Sequence, residues 1–145
     1  MYKRQILDSG LRLAHFMGQC SHESGGFRYM EEIASGAGYE GRADLGNTQT
    51  GDGKRYKGRG PIQLTGRANY RRVGRQIGID LESRPEMVAY PSIGLLVGCV
   101  YWDGRKLNAK ADADDLEGLT RAINGGTNGL ADRRAQTAKA KGLIL

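Results

Sequence analysis

Three carboxylates, Glu23, Glu31 and Glu32, fall close together near the start of the chain. Glu23 follows a run of apolar helix formers and precedes Ser24-Gly25-Gly26, which predicts that it ends a helix and is partly buried. There the negative end of the helix dipole and desolvation would both raise a carboxyl pKa, as a general acid requires. Glu32 stands nine residues further on. At ~100° per residue that spacing puts the two acids on opposite sides of an unbroken helix. The double glycine breaks the helix and lets the chain turn back, so the pair is expected to face across a cleft. Two carboxyls so placed are the minimum apparatus for glycoside hydrolysis, in which one protonates the leaving oxygen while the other activates water or attacks as a nucleophile. The structural alternatives are a helix-end acid paired with Arg for Glu23, and a solvated turn for Glu31 and Glu32.

Other constellations carry less. Gly51-Asp52-Gly53-Lys54 has the look of a phosphate loop, but Arg55 stands where a Ser or Thr would bind magnesium, and no buried strand precedes it. His15 and His22 lack the i,i+4 spacing of a helical zinc pair, so no metal and no cofactor is expected. There is no Gly-x-Ser-x-Gly elbow of the kind serine hydrolases use. Cys20 and Cys99 have neither metal nor redox spacing and read as two small buried hydrophobes.

The elements that must position these groups are mostly helical. Leu13, Phe16, Met17 and Cys20 recur at helical spacing within Leu11–Ser24, with Asp8 or Ser9 as N-cap and Gly25-Gly26 as the stop. The stretch 33–60 is glycine-rich and polar without an apolar stripe, a long loop or short-strand region of the kind that carries function. Ile62 and Leu64 are expected to be buried, and a helix is predicted over Arg67–Ile77. The apolar run Ile93–Trp102, opened by Pro91-Ser92, predicts a central buried helix. Asp114 or Asp115 caps a helix bearing Leu116, Leu119 and Ile123, stopped by Gly125-Gly126, and an Ala-rich helix covers 131–141. The fold class is therefore α+β, mainly α, with a small β element.

Composition bounds the rest. The chain has 145 residues, room for one packed core, and is expected to form a single domain over 1–145. Its 23 glycines follow no Gly-X-Y period, which excludes collagen. The net charge of +6 is concentrated: Lys54–Arg75 holds eight Lys or Arg and no acid. Such a field suits a polyanionic partner, such as nucleic acid, an anionic cell wall or an anionic membrane face, or else a solvated helix face with arginines bonded to loop carbonyls. The longest apolar run is too short to span a bilayer, so no membrane insertion is expected. The N-terminal residues lack the apolar core of a secretory signal, so the cytoplasm is the expected location, or an unknown one if the N-terminus is truncated.

The segment Ala14-His15-Phe16-Met17-Gly18-Gln19-Cys20-Ser21-His22-Glu23-Ser24-Gly25-Gly26-Phe27 resembles the acid-bearing segment of glycoside hydrolase family 19 chitinases and related phage endolysins. Tyr56-Lys57-Gly58-Arg59-Gly60-Pro61-Ile62-Gln63-Leu64-Thr65 is similar to that family's second signature. Ile123-Asn124-Gly125-Gly126 and Ala131-Asp132-Arg133 are similar to its third and fourth. The resemblance implies a lysozyme-like fold with the small β element near the catalytic cleft. It makes Glu23 the general acid and, nine residues later, Glu32 rather than Glu31 the base, with the Thr65 hydroxyl positioning the attacking water. It places Tyr56, Gln63, Asn69 and Asn124 on the substrate, has Arg133 support the base-side network, and has His22 brace the acid. The implied mechanism is inversion without a covalent intermediate.

The chain departs from the family at Lys57, where many members carry a second tyrosine, and it lacks the extra loops and disulfides of the plant enzymes. It also starts only a few residues before the first catalytic helix, where relatives usually carry a further helical segment, and so reads as N-terminally truncated. The expected partner is peptidoglycan, cleaved at β-1,4 bonds by a monomeric endolysin, with chitin as the alternative substrate. A non-catalytic nucleic-acid or cell-wall binding module stands well behind, and no nucleic acid is expected.

Overall fold

The computed structural model describes residues 1–145 apart from the side chain of Tyr2. The chain packs as two compact units, one formed by Met1–Phe27 with Cys99–Leu145 and the other by Arg28–Gly98. Helix dominates both. The small β element reduces, among the described residues, to two isolated antiparallel bridges, Glu31 with Arg59 and Arg59 with Leu64. No helix of the described residues is long and apolar enough to cross a membrane.

The first unit holds α1 (Tyr2–Leu7), α2 (Gly10–Glu23), the C-terminal part of α5 (Pro91–Gly104), α6 (Asn108–Asp112), α7 (Leu116–Asn124) and α8 (Leu130–Ile144). Ser9 caps α2, its side chain accepting from the Arg12 amide, and Asp115 caps α7 by accepting from Gly118. The helix α2 stops where the double glycine predicts: Gly25, Gly26 and also Phe27 are left-handed. Its buried face differs from the one that apolar spacing predicts. Ala14, His15, Phe16, Gly18, Gln19 and Cys20 are buried, while Leu13 and Met17 stay half-exposed. The reason is the close approach of α8: a Cβ on Gly18 would lie 2.7 Å from the Thr137 Cα, so only glycine admits that contact. Phe16 meets Trp102 edge to face at 5.5 Å, and the indole N–H donates to Asn108. Cys20 and Cys99 are both free and buried.

The second unit holds α3 (Asp52–Arg55), α4 (Arg67–Ile77) and the first half of α5, joined by 3-10 turns at Ala37–Tyr39, Ala43–Leu45 and Pro85–Ala89. Its core is Tyr56, Tyr70, Val73, Leu81, Val88 and Val97. Ile62 and Leu64, expected to be buried, are only half-buried. Polar anchors compensate for the thin apolar core. Asn47, wholly buried, donates to the Tyr39 carbonyl and accepts from the Arg67 amide, thereby capping α4, whose own N-cap residue, Gly66, has no side chain to do so. Buried Asp52 takes two bonds from the Arg67 guanidinium, at 2.9 and 2.6 Å.

Candidate active site

Part of the basic segment is paired within its own unit. Arg67 spans Asp52 and Glu82, Arg71 chelates Glu82, and Arg59 and Lys57 hold Glu31. Arg55 donates to the carbonyls of Glu82 and Ser83. Two guanidiniums on one carboxylate push the Glu82 pKa down to about 2. Three carboxylates thus answer four of the eight cations, and the segment keeps a net positive charge.

In the first unit, Glu23 closes α2 as predicted, with its side chain 30% exposed. Its Oε1 accepts from Arg133, whose guanidinium also donates to the Gln19 side chain and the Asn128 carbonyl. Arg133 is only 2% exposed and is held between α2 and α8, so its fork sits rigidly under the acid. Two expectations change here. Arg133 serves Glu23 and not the base, and it is too buried to touch substrate. His22 is bonded through Nδ1 to Asp132 at 2.6 Å, with its ring packed over Gly129, so Arg133 and not His22 braces Glu23. Asn124, the last residue of α7, is exposed and free to meet a ligand.

In the second unit, Glu31 and Glu32 part company. Glu31 accepts from Lys57 at 2.8 Å and from Arg59 at 3.0 Å; the Lys57 bond is the main reason its pKa lies below the usual carboxylate range. Both its oxygens are occupied by cations. Glu32 Oε2 accepts from the Tyr39 hydroxyl at 3.0 Å, while Oε1 is buried and finds no partner. The main chain of Glu32 is pinned from two sides: its amide donates to the Gly58 carbonyl, and its carbonyl accepts from Lys57 Nζ. A buried carboxylate oxygen without a hydrogen bond is costly, so it persists where something else is gained.

Thr65 belongs to the same cluster. A Cβ on Gly58 would stand 3.2 Å from Glu32 Oε2, 3.3 Å from Thr65 Oγ1 and 2.5 Å from Gln63 Oε1, so three predicted site residues converge on one glycine. Thr65 donates its hydroxyl proton to the Gln63 carbonyl, which leaves the oxygen as an acceptor. Gln63 is left-handed, a conformation that costs a non-glycine residue energy, and its amide closes the turn onto Gly60. Asn69 donates to the Thr65 carbonyl and accepts from Arg72, so it steadies Thr65 from α4.

Tyr56 does not meet the expectation of a substrate contact. It is 1% exposed, its hydroxyl donates to the Glu82 carbonyl, and its ring lies under Arg67 and against Tyr70. Residues that sequence spacing overlooks are Tyr39 and Gly58. Tyr39 sits in a glycine-flanked 3-10 turn with no periodic signal, and Gly58 lies inside a motif whose polar members drew the attention.

A mainly helical scaffold carrying one braced carboxyl and one with a free buried oxygen belongs with the glycosidases of lysozyme-like fold. The family model described as "Chitinase class I" matches residues 9–117, and the chain belongs to glycoside hydrolase family 19. It is 32% identical to a family 19 domain-containing protein of Haemophilus influenzae, with 85% of this chain and 75% of that one aligned. It is 40% identical to an endochitinase of Arabidopsis thaliana over 79% of this chain, but spans only 39% of that relative's length. Among solved structures, chitinase C of Streptomyces griseus superposes with a TM-score of 0.73 at 25% identity, covering 93% of this chain and 72% of that one. A class IV chitinase of Zea mays shares the fold with a TM-score of 0.68 at 23% identity.

Proposed function

We propose that the chain hydrolyses β-1,4 bonds of an amino-sugar polymer by inversion, with Glu23 as general acid and Glu32 as general base. The observation that carries this reading is the convergence of Glu32 Oε2 and the acceptor oxygen of Thr65 on Gly58. A water between them donates one proton to the Glu32 carboxylate and the other to Thr65 Oγ1, so that its lone pair is directed at the anomeric carbon. As the new C–O bond forms, Glu32 takes the first proton and the glycosidic bond breaks, its electron pair passing to the leaving oxygen. That oxygen takes the proton carried on the free oxygen of Glu23, while Arg133 keeps its bond to Oε1. Inversion requires the two carboxyls ~6.5–9.5 Å apart, and no covalent intermediate forms. Asn124 and Gln63 are the remaining polar groups offered to the sugar; Asn69 acts through Thr65.

The names of the relatives, chitinases and endochitinases, support a chitin-type glycan as the substrate. The peptidoglycan reading, that of an endolysin, rests on small size and net positive charge, and the internal pairing of Lys54–Arg75 removes part of its motive. A zymogram on peptidoglycan beside glycol chitin, run with the wild type and Glu23→Gln, separates them. A cleared band in one matrix that vanishes in the variant assigns the substrate. Clearing that survives Glu23→Gln, or none in either matrix, overturns the assignment.

A further inference from the structure

We propose that Tyr39 is the positioning residue of the base: its phenol holds Glu32 Oε2, and so fixes the carboxylate in the orientation that turns Oε2 toward Gly58 and the Thr65 hydroxyl. The inference rests on the reading of Glu32 as base. A carboxylate can rotate about its last torsion, which is broad and two-fold, and such a flip exchanges its oxygens. One strong donor on one oxygen removes that freedom. The Tyr39 hydroxyl is the donor that Glu32 has for its carboxylate within its unit, at 3.0 Å. It is neutral, where the cations of the same turn, Lys57 and Arg59, are both taken by Glu31. A neutral donor orients the carboxylate without the attraction of a full positive charge, which would oppose its taking up a proton.

The placement of Tyr39 is itself built in. Its carbonyl accepts from Asn47 Nδ2 at 2.9 Å, and Asn47 is wholly buried and anchored to the start of α4. The turn that carries it begins at Gly36, where φ is +82° and a Cβ would meet the Gly53 carbonyl at 2.5 Å, so that glycine seats the turn against α3. The hydrogen bond to Glu32 is the first cause of a Tyr39 pKa above the usual phenol value, so the phenol stays protonated as a donor. The other titratable and charged groups around the pair are Glu31, Lys57, Tyr70 and Arg42.

The test compares Tyr39→Phe, Glu32→Gln and wild type on a soluble chito-oligosaccharide and on peptidoglycan, using whichever is turned over. Tyr39→Phe keeps the ring and is expected to lower kcat by about tenfold to a hundredfold, as a modest misplacement of a reacting group does, with KM little changed. The acid limb of its kcat/KM profile moves to higher pH, because the ionised base has lost a donor. Site-specific fluorotyrosine at 39, a stronger donor, moves the same limb the other way. An unfolding midpoint close to wild type separates positioning from a general loss of structure. If Glu32→Gln is inactive while Tyr39→Phe keeps wild-type kcat and an unmoved acid limb, the role of Tyr39 is overturned and the base assignment stands. If Glu32→Gln remains active, the base assignment itself fails, and the role of Tyr39 with it.

Discussion

The two carboxyls are held in opposite ways. Glu23 ends a regular helix and rests on a buried guanidinium that α8 supplies, so a full charge and two packed helices fix one of its oxygens. Glu32 sits on irregular chain between Glu31 and a 3-10 turn, held by a neutral phenol and by main-chain bonds, with its second oxygen unpaired. The first arrangement derives from helix packing and tolerates little change. The second derives from loop chemistry: its cations are diverted to Glu31, one residue away. A charged brace on one carboxyl and a neutral one on the other therefore give two groups of the same residue type different electrostatic surroundings.

The sharpest way to break the comparison is to neutralise each acid. Glu23→Gln and Glu32→Gln are each expected to lower kcat by about 10²–10⁴-fold, with the fold intact by circular dichroism. Equal, near-wild-type turnover in both would leave the two brackets without a catalytic meaning. Next comes Gly58→Ala, whose methyl would stand among Glu32, Thr65 and Gln63. Its kcat should fall about tenfold to a hundredfold through displacement of the base-side groups, while thermal unfolding moves little. Arg133→Ala acts on the other side and through stability. Removing a buried guanidinium from Glu23, Gln19 and the Asn128 carbonyl should cost about 2–4 kcal/mol in urea unfolding, with activity falling in parallel.

Acid pH gives the smallest and most diagnostic difference. His15, buried in the first unit against Asp114, has its pKa lowered chiefly by burial. Folding therefore favours its neutral form; the resulting stability is fully present above the unfolded value of ~6.5 and is lost as pH falls below it. Glu31, in the second unit, has its pKa depressed, so its contribution is present above its ordinary value of ~4.3 and is lost only below that. Melting scans from pH 7 to pH 5 should thus show a decline that His15→Gln reduces. Lys57→Met leaves the slope of that decline unchanged, and its cost at neutral pH is about 1 kcal/mol or less, because Glu31 is well exposed.

The helices α2, α4, α5 and α7, the caps at Ser9 and Asp115 and the glycine stop after Glu23 were legible in the sequence because each is a local matter: periodicity, a short polar side chain and a residue that tolerates positive φ. The acids themselves followed from residue type, and Thr65 beside Glu32 from the motif resemblance, whereas Gln63, expected on the substrate, joins them only in the folded chain. The buried face of α2 did not. Apolar spacing selects Leu13 and Met17, but α8 approaches over Gly18, and residues as polar as His15 and Gln19 are buried there because Asp114, in the turn before α7, and Arg133, on α8, receive them. Tyr56 also escaped, since an aromatic in a motif looks the same whether it stacks on sugar or fills a core.

What the sequence determined alone was the inventory: helix ends, the break between the acids, and which side chains have the chemistry to move a proton. Only the tertiary structure assigned partners. It gave Arg133 to Glu23, Lys57 and Arg59 to Glu31 and Tyr39 to Glu32. A hydrogen bond depends on a few tenths of an ångström between groups that, for Arg133 and Glu23, are 110 residues apart, and no local pattern along the chain encodes that distance.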